Sequence, residues 1–241
     1  MSVLAPALAQ EREALQRGLV EAGVSAGLAD RTAQYGALLL ATNRRVNLTG
    51  AKSAIELLPH LLESLALAPE VASDHVDVGS GGGLPAIPLA LAGGRVTMIE
   101  ATAKKVAVLR ALLEELGIAG EVILGRAELL GHDPELRGRF GSGTARAVAV
   151  APAVAELVLP LLAVGGVAIL QRGAIGDDER RALADAALVL GSRIEAERPG
   201  PGQCRIFLVR KLHPTGARFP RRIGVPAKRP LCMEPEARLR P

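Results

Sequence analysis

Aromatic residues are nearly absent from this chain: of 241 positions only Tyr35, Phe140, Phe207 and Phe219 carry a ring, and there is no tryptophan. That scarcity argues against a stacking platform of the kind that readers of single-stranded RNA build from aromatic faces. Any nucleic acid held here must be gripped through phosphate and shape. Cysteine is as sparse: Cys204 and Cys232 share no metal-type spacing with each other or with His213, so both read as free thiols and no resident metal is expected. No apolar run approaches the roughly 18–20 uncharged residues of a membrane span, and Glu11, Arg12 and Glu13 are out of place in a secretory leader. A soluble, cytoplasmic protein without membrane contact is expected. What the chain does have is 49% hydrophobic residues, enough to bury a full core in one domain with short appendages.

The formal charge of +4 hides an asymmetry. From Arg210 to Pro241 nine basic residues face two acidic ones, a net of +7 that leaves the remainder at −3. A basic appendage on a slightly acidic body suits a polyanion, nucleic acid first, although a solvated tail that aids solubility has the same composition.

Apolar spacing predicts amphipathic helices over 4–22, 28–42 and 52–67, the last carrying His60, Glu63 and Ser64, with a polar loop at 43–50 between the second and third. From His75 the pattern changes to alternation of strand and helix. Strands are expected at 75–78, 95–99, 121–124, 145–150, 165–170, 193–197 and 205–209, with helices over 86–92, 104–116, 153–162 and 177–190. The stretch 131–143 reads as a polar, glycine-rich linker, and Arg146 falls near the start of the fourth strand. The last two strands form a hairpin through Pro199–Gly202, which gives a mostly parallel seven-stranded α/β sheet with an antiparallel final strand, plus N-terminal helices. The divisions are 1–70, a helical extension packed on the core; 71–211, the core itself; and 212–241, a basic arm. Over 219–231 prolines are too frequent for a helix, so the arm is expected to be extended.

The chemistry concentrates at His75–Pro88, HVDVGSGGGLPAIP, where a strand runs into glycines and then a helix. Two ligand classes use such a loop. The dinucleotide fingerprint GxGxxG, counted from Gly79, requires its third glycine where Leu84 stands, and Pro85 removes an amide that a pyrophosphate would use. The pattern present is acid-x-Gly-x-Gly-x-Gly, Asp77 with Gly79, Gly81 and Gly83, which suits the ammonium and carboxylate of S-adenosylmethionine. Glu100 ends the second strand 17 residues beyond Gly83, where a carboxylate accepts ribose hydroxyls. The third strand delivers Ala127 and Glu128 to the same sheet edge, towards the adenine end of a bound nucleoside.

These motifs resemble one family. NLTG at Asn47–Gly50, HLLES at His60–Ser64, DVGSGGGLPAIPLA at Asp77–Ala90, GRAE at Gly125–Glu128, ARAVA at Ala145–Ala149 and the closing RRIGVPAKRPL are similar to the RsmG (GidB) 16S rRNA guanine-N7 methyltransferases, over about residues 35–231. The resemblance implies a class I (Rossmann-like) methyltransferase fold, S-adenosylmethionine as cofactor, 16S rRNA or the small ribosomal subunit as partner, and a guanine of the 530 loop as target. It implies cofactor contacts at Gly79, Leu84, Glu100, Ala101, Thr102, Ala127, Glu128 and Arg146. Base and phosphate handling is expected from Asn47, His60, Ser64, Arg146 and Arg172, with Arg221 and Arg222 on the arm. Three positions depart from the family pattern: Glu63 and Glu100 stand where Asp is common, each a methylene longer, and Arg172-Gly173 replaces Lys-Gly. No residue is singled out as a proton carrier, since guanine N7 already exposes a lone pair. The other readings are a small-molecule methyltransferase and a non-catalytic RNA-binding assembly factor, and a monomer is expected.

Overall fold

The computed structural model describes residues 4–146 and 149–232. The helical extension comprises α1 (Leu4–Glu21), α2 (Ala26–Asn43) and α3 (Ala54–Leu65). The third begins at an N-cap, in which Ser53 Oγ accepts from Glu56 N, and the Glu56 carboxylate reaches back to accept from Lys52 N. The core follows as β1 (Asp74–Val78), α4 (Ala86–Leu91), β2 (Arg95–Glu100), α5 (Ala103–Glu115), β3 (Glu121–Leu124), α6 (Ala127–Leu130), β4 (Phe140–Thr144), α7 (Ala151–Val158), β5 (Leu162–Arg172), α8 (Asp177–Val189), β6 (Ser192–Pro199) and β7 (Arg205–Lys211). The seven strands lie in the order β3-β2-β1-β4-β5-β7-β6, and β7 alone runs against its neighbours, as the hairpin pattern predicts.

Each sheet face carries its own apolar cluster. Val96 and Met98 of β2 pack with the leucines of α1 to α5, whereas Val76, Val78 and Ile99 pack with α7 and α8. Alternation along β1 therefore turns His75 and Asp77 towards the side of the N-terminal helices. Tyr35 of α2 is fully buried there and donates to the Gly82 carbonyl at 3.0 Å, so the extension holds the glycine loop from beneath.

Two expectations need correction. The fourth strand is Phe140–Thr144, all but its last residue inside the stretch 131–143 read as a linker, and not 145–150. Its sequence, FGSGT, lacks an apolar pattern because α7 and β5 press close: a Cβ on Gly143 would lie 2.7 Å from Val158 Cγ1 and 3.0 Å from Leu162 Cδ2. Arg146 consequently follows the strand and does not begin it; positions 147–148 of the expected strand lie outside the described residues. The segment from 212 to 232 is also not an extended arm. Phe219 and Pro220 are buried, and Pro226 opens a one-turn helix, α9 (Val225–Lys228), where a proline in the first turn costs no hydrogen bond. Arg137 ties the segment down through the carbonyls of Thr215, Gly216 and Phe219, and His132 Nε2 bonds the Pro220 carbonyl at 2.7 Å.

Candidate functional site

The glycine loop turns at the carboxyl end of β1, as parallel α/β sheets arrange their ligand sites. Gly79, Gly81 and Gly83 have φ of +74°, +57° and +100°, a region that costs other residues dearly. Space is the second constraint: a Cβ on Gly82 would meet Leu39 Cδ1 at 2.8 Å and Leu48 Cβ at 3.0 Å, so the N-terminal segments clasp the loop. Around the clasp, Asn43 organises the NLTG turn. Its Nδ2 donates to the carbonyls of Thr49 and Ala51, and its Oδ1 accepts from the amides of Leu48 and Thr49.

Under the loop, Asp77 is 1% exposed. Oδ1 accepts from Thr144 Oγ1 at 2.7 Å, whereas Oδ2 has no partner. Burial pushes its carboxyl up to about 6. An orphaned buried carboxylate oxygen is costly, and a cationic ligand group relieves it. The orphan oxygen at the end of β1 therefore fits the ammonium of S-adenosylmethionine. One strand over, Glu100 Oε2 accepts from Gly81 N at 3.0 Å and Oε1 from Thr102 N at 2.8 Å. Each oxygen retains a lone pair for a ribose hydroxyl. The extra methylene relative to Asp is taken up in reaching back to the loop.

A cavity of about 1000 Å³ opens above the loop. Gly79, Gly81 and Leu84 form its floor; Asn47, His60 and Glu63 line one wall and Arg146 and Arg172 the other. Glu63 Oε2 lies 3.3 Å from His60 Nδ1 and 3.5 Å from Arg146, joining the walls by an ion pair across the mouth. The longer Glu63 side chain is what reaches Arg146. Arg172 is braced from behind, donating to the Ala149 carbonyl at 2.7 Å and to Glu179 at 3.2 Å. Cations, a carboxylate and a neutral amide in one cleft can hold a phosphate and a polar base together.

Not every expected residue joins this group. Ser64 is fully buried and its hydroxyl donates to the His60 carbonyl of its own helix at 2.7 Å, so it shapes α3 and does not line the cavity. Gly83 is buried behind the loop, and Ala101 and Thr102 are exposed just beyond Glu100. Ala127 and Glu128 open α6, away from the cavity wall. Burial opposes ionisation of Glu128, but hydrogen bonds from Arg126 and from Gly224 N outweigh it and hold its carboxyl low. Glu128 thus links the turn after β3 to the C-terminal segment. Arg221 is spent in a fork on the fully buried Glu156, while Arg222 is exposed. Sequence reading missed Asn43, Lys105, Gln171 and Gln203; the last three line the cavity. Asn43 carried one signal, an amide at a helix end immediately before a turn-rich motif.

Comparison with known proteins agrees with this geometry. The family model described as GidB, rRNA small subunit methyltransferase G, matches residues 29–197. Ribosomal RNA small subunit methyltransferase G of Rubrobacter xylanophilus is 42% identical over 238 residues, covering 91% of each chain. The protein of the same name from Deinococcus radiodurans is 39% identical, covering 91% of this chain and 92% of its own. Among solved structures, an O-methyltransferase from Bacillus cereus in complex with SAH superposes with a TM-score of 0.53 at 23% identity, over 72% of this chain and 89% of that one. A mutant of MtNAS in complex with S-adenosylmethionine gives 0.52 at 19% identity, over 81% of each chain. At such identities the likeness shows the fold, that of class I methyltransferases.

Proposed function

The chain belongs to the GidB family, rRNA small subunit methyltransferase G, and from that premise we propose that it transfers a methyl group from S-adenosylmethionine to N7 of a guanine in the 530 loop of 16S rRNA. One observation carries the reading: the glycine loop, with the orphaned Asp77 oxygen buried directly beneath it, forms the floor of the cavity lined also by the NLTG and HLLES segments and Arg146. Cofactor and base handling thus meet in one cleft. Bound S-adenosylmethionine supplies an electrophilic methyl on a sulfonium.

The chain's residues bind and align. Asp77 would accept the ammonium, Glu100 the ribose hydroxyls, and the main chain at Gly79 and Leu84 would bound the ligand. The target base enters between Asn47, His60 and Arg146, and Arg172 offers a planar fork to a flanking phosphate. Guanine N7 presents its lone pair without losing a proton, so alignment and exclusion of water do most of the work. As the methyl passes, positive charge moves onto the base, and Glu63 is the carboxylate placed to favour it. The protein acts as a cytoplasmic monomer on small-subunit RNA.

The test incubates purified protein with methyl-labelled S-adenosylmethionine and small-subunit RNA from a strain lacking the enzyme, then maps the label. Label at one guanine N7 is expected. Label elsewhere overturns the target, and cofactor binding without transfer to any small-subunit particle favours the non-catalytic assembly factor.

A further inference from the structure

Beneath the loop, four polar side chains form a continuous buried chain that ends on Asp77. His75 and Asp77 lie on the same face of β1, and β4 places Ser142 opposite the first and Thr144 opposite the second. His75 Nδ1 is 2.8 Å from Ser142 Oγ and its Nε2 is 2.9 Å from Thr144 Oγ1. Ser142 Oγ also accepts from Ala72 N at 2.8 Å, and Thr144 Oγ1 donates to Asp77 Oδ1 at 2.7 Å. All four residues are at most 1% exposed.

The carboxylate end, together with a neutral imidazole and the single proton of each hydroxyl, fixes the direction of every bond. Ala72 N can only donate, and an ionised carboxylate can only accept. Ser142 therefore donates its proton to His75 Nδ1, His75 carries its proton on Nε2 and donates to Thr144, and Thr144 donates to Asp77. Protonating Oδ1 would reverse the last two links, shift the imidazole proton to Nδ1, and strand the Ser142 hydroxyl proton in a buried site without an acceptor. The imidazole itself stays neutral, because burial lowers it to about 3.

We infer that His75, Ser142 and Thr144 are positioning residues: their one-way hydrogen-bond chain keeps Asp77 Oδ1 an acceptor, favours the carboxylate, and turns the unpartnered Oδ2 to a cationic group of the ligand. The inference rests on the reading of the cavity as an S-adenosylmethionine site. Other groups also face Asp77. Arg146 beyond β4 favours its charged form, Glu100 at the end of β2 opposes it, Tyr35 of α2 is a neutral hydroxyl, and Ser80 donates to its main-chain carbonyl. Arg146 and Glu100 act through space with opposite sign, and Ser80, like Thr144, lowers the carboxyl; Thr144 makes the bond to Oδ1 at 2.7 Å.

The experiment measures binding of two ligands by calorimetry between pH 5 and 8, for the wild type, Thr144→Val and Thr144→Ser. S-adenosylmethionine carries the ammonium; 5′-deoxy-5′-methylthioadenosine keeps the nucleoside and lacks it. In Thr144→Val the acidic midpoint of S-adenosylmethionine binding should rise by about one pH unit, roughly a fivefold loss of affinity at pH 6 that approaches tenfold towards pH 5. Methylthioadenosine should bind within about twofold of wild type, and Thr144→Ser should restore the wild-type profile. An unmoved midpoint, or equal losses for both ligands, overturns the inference. Failure of the wild type to bind S-adenosylmethionine overturns instead the reading on which it rests. Nitrogen NMR of His75 in the wild type is independent of the variants: a neutral Nε2–H ring at pH 5.5 is expected, and an Nδ1–H tautomer or an imidazolium overturns the chain.

Discussion

Asp77 carries a conflict between its burial and its charge. Burial raises its carboxyl to about 6, Ser80, Thr144 and Arg146 draw it down, and Glu100 adds to the rise. An acid weaker in the folded than in the unfolded state stabilises the fold at low pH: its contribution is full below about pH 4 and lost as pH climbs through about 6. A bound ammonium reverses that balance by favouring the charged form. Affinity for S-adenosylmethionine, followed by calorimetry, should fall about tenfold per pH unit below 6 and level off above it. Asp77→Asn should flatten this dependence and weaken binding at neutral pH at least tenfold, and an unchanged profile in the variant would remove Asp77 from the ligand. Asp77 and Glu100 were legible in the sequence because both belong to a recognisable strand, glycine loop and strand pattern, although the bond to the Asp77 carboxylate comes from Thr144, far along the chain. Asn43, whose partners at Leu48, Thr49 and Ala51 are also local, was passed over, and the His75 chain was not legible, since β1 and β4 bring its members together only in the sheet.

At the scale of elements, two segments show where local pattern fails. Apolar alternation in ARAVAV outweighed FGSGT, yet the strand is the glycine-rich stretch, because tight packing under α7 leaves no room for larger side chains. The C-terminal segment failed for a similar reason: proline content and charge described an arm, whereas its fixation depends on one acid far away in sequence. Glu156 is fully buried in α7 and accepts from Arg221 Nε at 2.9 and 3.0 Å and from the Arg221 amide at 2.7 Å. Removing the guanidinium leaves that charge short of its partner in the core. Arg221→Ala should therefore cost about 3 kcal/mol, lowering Tm by roughly 6–12 °C for a domain of this size. Thermal unfolding checks it, and a shift under about 2 °C would mean that the segment is held by Phe219 and Arg137 alone. Apart from the one-turn helices α6 and α9, the helices and six of the seven strands followed from apolar pattern and turn signals. The order in which strands lie beside one another came only with the structure.

For the whole molecule, the charge asymmetry changes meaning once the basic segment is seen folded. Arg221 neutralises Glu156, Lys211 is buried against the carbonyls of Leu159 and Leu162, and burial with nearby Arg137 lowers its ammonium to about 8. Neither is available to RNA, so part of the sequence's +7 is structural. Arg218, Arg222, Lys228 and Arg229 remain exposed on a segment that Glu128 moors, through Gly224 N, to the turn after β3. That anchors the cations at the same sheet edge as the cavity, facing a polyanion from a fixed surface. Truncating the segment would expose Phe219 and confuse unfolding with reduced affinity, so point substitutions are the clean measurement. Arg222→Ala with Lys228→Ala should weaken small-subunit RNA binding and reduce the slope of log K against log salt by about 1 for each phosphate no longer neutralised. Affinity for S-adenosylmethionine should not change. Arg95→Ala, at the opposite end of β2, should leave the slope as it is. If the paired substitutions leave the slope unaltered while Arg146→Ala and Arg172→Ala reduce it, the RNA backbone is held within the cavity alone and the C-terminal segment serves only to close the core.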